Sequence, residues 1–227
     1  MRIDLKKYLT EQYEKSTHKD VKPGPVLTIS REYGCSAKEL AKEVIYQLQQ
    51  EKPNEKDWTW INKEIFENTA KALNLKEKRI LHVFEGKKLG LVDSIILSSA
   101  EKYYKSDKAI QKKMIEVVRS FAEKGKTIII GLGSAIICRD IEKSLHIRLE
   151  APFDWRIAQM AKKYNRPLNE IEKYAKEIDQ KRADLRKSFL TKNACEKVFD
   201  ITFNVKSLNK TEIAETIIFM MKKRKMI

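Results

Sequence analysis

Val26-Leu27-Thr28-Ile29-Ser30-Arg31-Glu32-Tyr33-Gly34-Cys35-Ser36-Ala37-Lys38-Glu39-Leu40 is the stretch on which the reading of the whole chain turns. An apolar, β-branched run breaks into a short loop with one glycine. The loop feeds a sequence of helical period, with Leu40, Ala41, Val44, Ile45 and Leu48 on one side. Strand, tight loop and helix aim free backbone N–H groups and the positive end of a helix dipole at one point. An anion, most often a phosphate, fits there. Lys38 stands in the first turn of that helix. A second reading needs no ligand, because Ser36-Ala37-Lys38-Glu39 has the S-x-x-E pattern of a capping box. The full pattern G-x-x-x-x-G-K-[ST] is absent, so the loop alone leaves both readings open.

Upstream, residues 1–25 read as an N-terminal extension, with Leu5, Tyr8 and Leu9 spaced for a short amphipathic helix and Lys22-Pro23-Gly24-Pro25 as a linker. Downstream, Trp58-Thr59-Trp60-Ile61 is a brief strand and a helix follows from Asn62 to about Leu73. Residues 76–105 are helical but loosely punctuated, as suits an insertion. Ile110, Met114, Val117, Val118 and Phe121 mark an amphipathic helix closed by Gly125. Thr127–Ile130 is a buried-type strand running into Gly131-Leu132-Gly133-Ser134 and a helix. A strand at Leu145–Leu149, a helix around Trp155–Tyr164 and a long charged helix from about Asn169 to Lys187 follow. A last strand at Phe199–Phe203 and a helix from about Thr211, with Asn209 and Glu212 as a capping box, complete the pattern. Strands apolar on both faces and alternating with helices predict an α/β fold with a parallel sheet covered on two sides. Ligands on such sheets bind at the carboxyl ends of the strands. The loops at Arg31–Ser36, Gly131–Ser134 and Ala151–Pro152 are therefore expected to line one crevice.

At 227 residues the chain suits one full-sized domain, and its 42% hydrophobic content suits a globular core. Three cysteines without metal-ligand spacing, no signal-peptide pattern and no apolar run of membrane-spanning length predict a cytoplasmic protein with no membrane partner. The formal net charge of +15 is spread along the chain and mixed with glutamates, without interleaved aromatic residues. It speaks for small phosphorylated ligands more than for a polynucleotide. The dense cluster Lys222-Lys223-Arg224-Lys225 ends a helix, where cations suit the dipole for structural reasons.

Asp179, Arg182 and Arg186 stand at i, i+3 and i+7, on one helical face. Two guanidiniums, one oriented by a carboxylate, make a clamp for phosphate oxygens. A solvated, salt-bridged surface helix is the alternative. Cys35 sits at a helix N-terminus beside Lys38, which favours a thiolate, although a small loop-filling side chain explains it as well. His146, inside a strand, reads as structural.

In this order the stretches resemble the cytidylate kinase-like family, a branch of the P-loop nucleoside monophosphate kinases. Ile29-Ser30-Arg31-Glu32-Tyr33-Gly34 with a basic residue at Lys38 resembles the opening I-S-R-E-[FY]-G-S-G-G-[RK]. The likeness continues through Lys63-Glu64-Ile65, Val118-Arg119, Ala122–Gly125, Ile128–Gly131 with Gly133, Ala151-Pro152 with Trp155-Arg156, Asp179 with Lys181-Arg182-Ala183, and Phe199-Asp200-Ile201. It implies a three-layer P-loop NTPase-like α/β domain over 26–227, a helical acceptor-side insertion over 55–105 and a basic lid over 160–196. The implied reaction is phosphoryl transfer from ATP, with Mg2+, to a nucleoside monophosphate of the CMP type or a related small acceptor. By position, Lys38 takes the place of the P-loop lysine. Arg31, Gly34, Cys35, Ser36, Ala37 and Glu39 surround the donor phosphates. Arg156, Arg182 and Arg186 come from the lid, with Asp179 holding an arginine. Asn62, Arg119, Gly131 and Gly133 fall on the acceptor side, and no protein metal ligand is assigned. Ser36 and Ala37 stand where the family has glycine, Leu132 where it usually has arginine, and Asn62 where aspartate is common. A fold that binds nucleotide without turnover is the principal alternative function, and a polynucleotide binder the third.

Overall fold

The computed structural model describes residues 23–53, 58–63, 107–190 and 197–227. The expectations for residues 1–22, for the helix and insertion over 64–106, and for Cys195 lie outside them. Among the described residues the chain forms five strands and six helices: β1 Val26–Arg31, α1 Ala37–Glu51, β2 Thr59–Ile61, α2 Asp107–Lys124, β3 Thr127–Ile130, α3 Ser134–Ile137, β4 Ser144–Glu150, α4 Phe153–Tyr164, α5 Leu168–Ser188, β5 Ile201–Asn204 and α6 Lys210–Lys223. The sheet is parallel throughout in the order β2-β3-β1-β4-β5. This is the α/β fold that the alternation of patterns predicted.

β1 lies at the centre because all four of its first residues can be buried. Val26, Leu27, Thr28 and Ile29 are fully inaccessible, paired with β3 on one side and β4 on the other. Successive side chains point to opposite faces. Leu27 and Ile29 pack with Leu40, Ala41 and Val44 of α1 and Ile213, Ile217 and Met221 of α6. Val26 packs on the other face with Val118, Phe121 and Ala122 of α2, where Ile137 of α3 and Leu185 of α5 join the same cluster. Thr28 is buried as well, and its hydroxyl meets His146 Nδ1 at 2.8 Å while Ser144 Oγ meets Nε2 at 3.1 Å. Burial, only partly opposed by Asp200, pushes the imidazole below its ordinary pKa. His146 is a satisfied core side chain.

Several boundaries follow from local chemistry. Asn165 closes α4 in the left-handed region and Pro167 precedes α5, which is why Arg166-Pro167 divides the two helices. The capping box at α6 is formed in full: Asn209 Oδ1 accepts from the N–H groups of Thr211 and Glu212, and Glu212 Oε2 accepts from Asn209 N–H at 2.7 Å. The box expected at Ser36 is not formed, since the Ser36 side chain makes no cap hydrogen bond to α1. The basic end of α6 is structural: Arg224 forks onto Asp200 and Lys222 pairs with Glu51 at 2.7 Å. No described helix is long and apolar enough to cross a membrane.

At the amino edge of the sheet, the linker before β1 and the turn after α2 touch back to back. A Cβ on Gly24 would stand 2.4 Å from Gly125 Cα, and one on Gly125 would stand 2.7 Å from Gly24 Cα, where φ is also +74°. Backbone on both sides leaves nothing flexible to yield. Gly125→Ala is therefore expected to cost about 2–3 kcal/mol, combining overpacking with left-handed strain. Urea denaturation should show a lower midpoint with an unchanged slope.

Candidate functional site

The carboxyl edge of the sheet is built by three consecutive left-handed residues after β3. Gly131, Leu132 and Gly133 have φ of 74°, 62° and 68°. They turn the chain back sharply under the last residue of β1. Gly131 gives the Arg31 side chain its seat, since a Cβ there would lie 2.2 Å from Arg31 Nη1. Gly133 does the same for the ring of Phe189, 2.4 Å from a would-be Cβ. Helix α5 crosses above. Arg182 Nη1 donates to the Arg31 carbonyl at 3.2 Å, and Arg186 follows about one turn later. Between α5 and the strand ends is a cavity of about 440 Å³, whose lining includes Arg31, Lys63, Lys181, Arg182 and Arg186.

Lys181 pairs with Glu177 at 2.7 Å, and Arg182 lies 3.6 Å from Asp179. The Arg31 guanidinium meets no hydrogen-bond acceptor among the described residues. Burial and then the neighbouring Arg182 push it down to about 9, against a smaller pull from Asp179. Burial also lowers Arg182 and Arg186, with Arg148 and Arg182 adding repulsion at Arg186. Desolvated, mutually repelling guanidiniums around one cavity are stabilised by a bound anion.

A second cluster braces this site. Arg156, only 4% exposed on α4, donates from Nε to the Ala151 carbonyl and from Nη1 to the Tyr33 carbonyl and to Asp179 Oδ2, at 3.0, 2.7 and 2.8 Å. It also pairs with Glu32 at 3.2 Å. Asp179 Oδ1 accepts the Tyr33 backbone N–H at 2.6 Å. Asp179 thus holds an arginine, as expected, but holds Arg156 closest and occupies an N–H of the loop as well.

The structure brings Arg31, Gly131, Gly133, Arg182 and Arg186 to one cavity and places the other candidates elsewhere. Gly34, with φ of 88°, packs under α4: a Cβ there would be 3.2 Å from Arg156 Cβ. Cys35 is buried, and burial raises its thiol to about 11, so the thiolate expected from the helix N-terminus is not favoured. Ala37 is buried, while Ser36, Lys38 and Glu39 are exposed. Lys38 Nζ lies 5.5 Å from the centroid of the Trp60 ring, outside the cavity lining. The N–H groups of Cys35 and Ala37 are taken by the Glu32 and Cys35 carbonyls. Those of Gly34, Ser36, Lys38 and Glu39 meet no acceptor among the described residues. Arg119 forks onto Asp140 at 2.7 and 3.0 Å and donates to the Ile137 carbonyl, away from the cavity. Asn62 follows β2 at the same sheet edge, next to cavity-lining Lys63.

Tyr174, Lys63 and Lys181, none of them a candidate from the sequence, also line the cavity. The signal was present in the spacing: Tyr174, Ile178 and Arg182 stand at i, i+4 and i+8 on one face of α5. Glu32 and Asp179, each next in sequence to a cavity-lining residue, are engaged by arginines, and no described group of three His, Cys, Asp or Glu could hold a metal ion. These residues do not fit a protein-held magnesium.

A sequence model of the cytidylate kinase-like family matches residues 26–207. The chain belongs to the cytidylate kinase-like family. No curated protein matches the sequence. Among solved structures, this family member is similar to an uncharacterized protein from Eubacterium ventriosum, at 14% identity and a TM-score of 0.58 over 88% of this chain and 98% of that one. It is also similar to a shikimate kinase from Acinetobacter baumannii in complex with shikimate, at 11% identity and a TM-score of 0.48 over 93% of this chain and 98% of that one. A shikimate kinase from Bacteroides thetaiotaomicron gives 11% and 0.45 over 88% of this chain and 98% of that one. The Eubacterium likeness is one of fold.

Proposed function

We propose that this cytidylate kinase-like protein is a cytoplasmic phosphotransferase that carries a phosphoryl group from ATP to a small phosphorylated acceptor, a nucleoside monophosphate of the CMP type or a relative. The observation that carries the reading is the cavity itself, in which Arg31 meets no acceptor among the described residues and stands with Arg182 and Arg186. Phosphoryl transfer asks a protein mainly for positioning and for charge stabilisation on oxygens, and three guanidiniums on one cavity serve that charge stabilisation. The donor triphosphate is assigned to the N–H groups of Gly34, Ser36, Lys38 and Glu39, which have no acceptor among the described residues, at the positive end of α1. Lys38 would leave the Trp60 ring to reach it. The acceptor side takes Asn62, Lys63, Gly131 and Gly133. The division into an N-terminal extension, an insertion over 55–105 and a lid over 160–196 belongs to this proposal. No step is assigned to magnesium.

A second reading, nucleotide binding without turnover, is favoured by one contact. The Asp179 carboxylate already occupies the Tyr33 N–H, leaving fewer loop donors for phosphate. One panel separates the two: thermal shifts with ATP, ADP, CMP and pyrophosphate, alongside a phosphoryl-transfer assay. Stabilisation with transfer supports the enzyme, stabilisation without transfer supports the second reading, and neither removes both. Lys38→Ala is expected to cut the ATP-induced shift by more than half and leave that of CMP unchanged. Equal shifts in the variant would remove Lys38 from the donor site.

A further inference from the structure

Beside the cationic cavity is a second cleft, of about 530 Å³, at the junction of α4 and α5. It is lined by Tyr33, Tyr164, Arg166, Glu170, Ile171 and Tyr174. We propose that this tyrosine cleft receives the base of a nucleotide whose phosphates lie in the cationic cavity. The inference rests on the reading that the cavity holds phosphate.

The two spaces share a wall. Tyr33 and Tyr174 line both, and their rings meet edge to face with centroids 5.3 Å apart and planes at 81°. A molecule reaching across that wall needs an anionic end among the arginines and a flat, stackable end among the tyrosines. A nucleotide has both. The cleft leaves ring surface open to receive it: Tyr164 is 55% exposed and Tyr174 50%, while Ile171 beneath is buried. Aromatic faces are the usual platform for bases, since every base has a π-face. Polar groups for a base edge stand at the rim, where Arg166 and Glu170 form an exposed pair at 3.2 Å.

The platform is fixed in advance. Tyr33 belongs to the loop whose backbone is bolted at both ends of one residue, its N–H on Asp179 and its carbonyl on Arg156. Its phenol, neutral at physiological pH like any tyrosine's, is shifted further upward by burial and by the phenols of Tyr164 and Tyr174. A ring that does not need ordering on binding loses less entropy than a mobile one.

Calorimetric titration of the full chain with pyrophosphate, ATP, CMP and AMP tests the assignment. Tyr164 is exposed, so Tyr164→Ala should fold, and circular dichroism would verify that. Tyr164→Ala is expected to weaken at least one of the three nucleotides about tenfold, to leave pyrophosphate unchanged, and to be rescued by Tyr164→Phe. In the wild type, the base protons of that nucleotide should shift upfield in proton NMR. If pyrophosphate and nucleotides bind wild type and Tyr164→Ala alike, or if pyrophosphate weakens in parallel, the base site is wrong while the phosphate cavity stands. If wild type binds none of the four, the cavity reading fails and the inference falls with it.

Discussion

Arg31→Met is expected to raise the melting temperature of the ligand-free protein and to remove most of the stabilisation that pyrophosphate confers. Opposite movements of stability and binding are the signature of a site whose charge the ligand-free fold carries at a cost. The reason lies in the seat of the guanidinium. It is desolvated, stands beside Arg182, and meets no acceptor among the described residues. A cation taken from water without a partner destabilises the fold, and a methionine of similar length keeps the stem while removing that cost, worth about 1–2 kcal/mol. An anion in the cavity reverses the balance in the wild type alone.

The same group sets a pH dependence. In the folded protein Arg31 is pushed down to about 9, below its value in the unfolded chain. Below pH 9 both states hold the proton and the cost of the buried charge is constant. Above pH 9 the unfolded chain binds a proton that the folded chain has released, so stability attributable to Arg31 rises with pH. Pyrophosphate affinity runs the other way and should fall as pH passes about 9. Titration calorimetry from pH 7 to 10 checks this, with Arg31→Met as the control whose weak binding lacks that component. A wild-type profile parallel to the variant's would refute the role of Arg31.

The largest loss of stability is expected from Arg156→Met. Its guanidinium joins the Ala151 and Tyr33 carbonyls, Glu32 and Asp179. Removing it leaves carboxylates and carbonyls in a partly desolvated junction, a change of about 3 kcal/mol. Glu32 retains Arg148 at 3.5 Å and Asp179 retains Arg182 at 3.6 Å, which limits the damage. Arg156→Lys should recover little, because an ammonium cannot reproduce the fork. Urea denaturation of the three proteins gives the comparison, and a midpoint within error of wild type would show that Arg156 braces nothing. Nucleotide affinity should fall in Arg156→Met, since the Tyr33 ring loses one of its two backbone anchors.

Periodicity located the strands, the helices and the carboxyl edge. Four buried residues in a row at Val26–Ile29 could only be a strand covered on both faces, and Asn209 with Glu212 announced its own capping box. Side-chain destinations were less legible. Arg156 and Arg182 are both arginines near the same edge, yet one is consumed by carbonyls and carboxylates while the other lines the cavity. The difference depends on which long-range acceptors the fold delivers, and no spacing encodes it. Gly34 looked like a place for phosphate to approach, whereas its missing Cβ makes room for α4. At Cys35 the helix position argues for a thiolate and the small side chain for a filler of the loop, and burial decides for the filler.

The contact between Arg31 and Gly131 also carries an evolutionary consequence. The guanidinium occupies the volume that any side chain at position 131 would need, with 2.2 Å between Nη1 and a would-be Cβ. A side chain at position 131 would push the guanidinium from this seat, so two positions far apart in the chain bear on one another. Family members that keep the arginine are therefore expected to keep the glycine, whose φ of 74° favours glycine in any case. A lineage that gains a side chain at the glycine should first have surrendered its arginine, and its taste for anions with it.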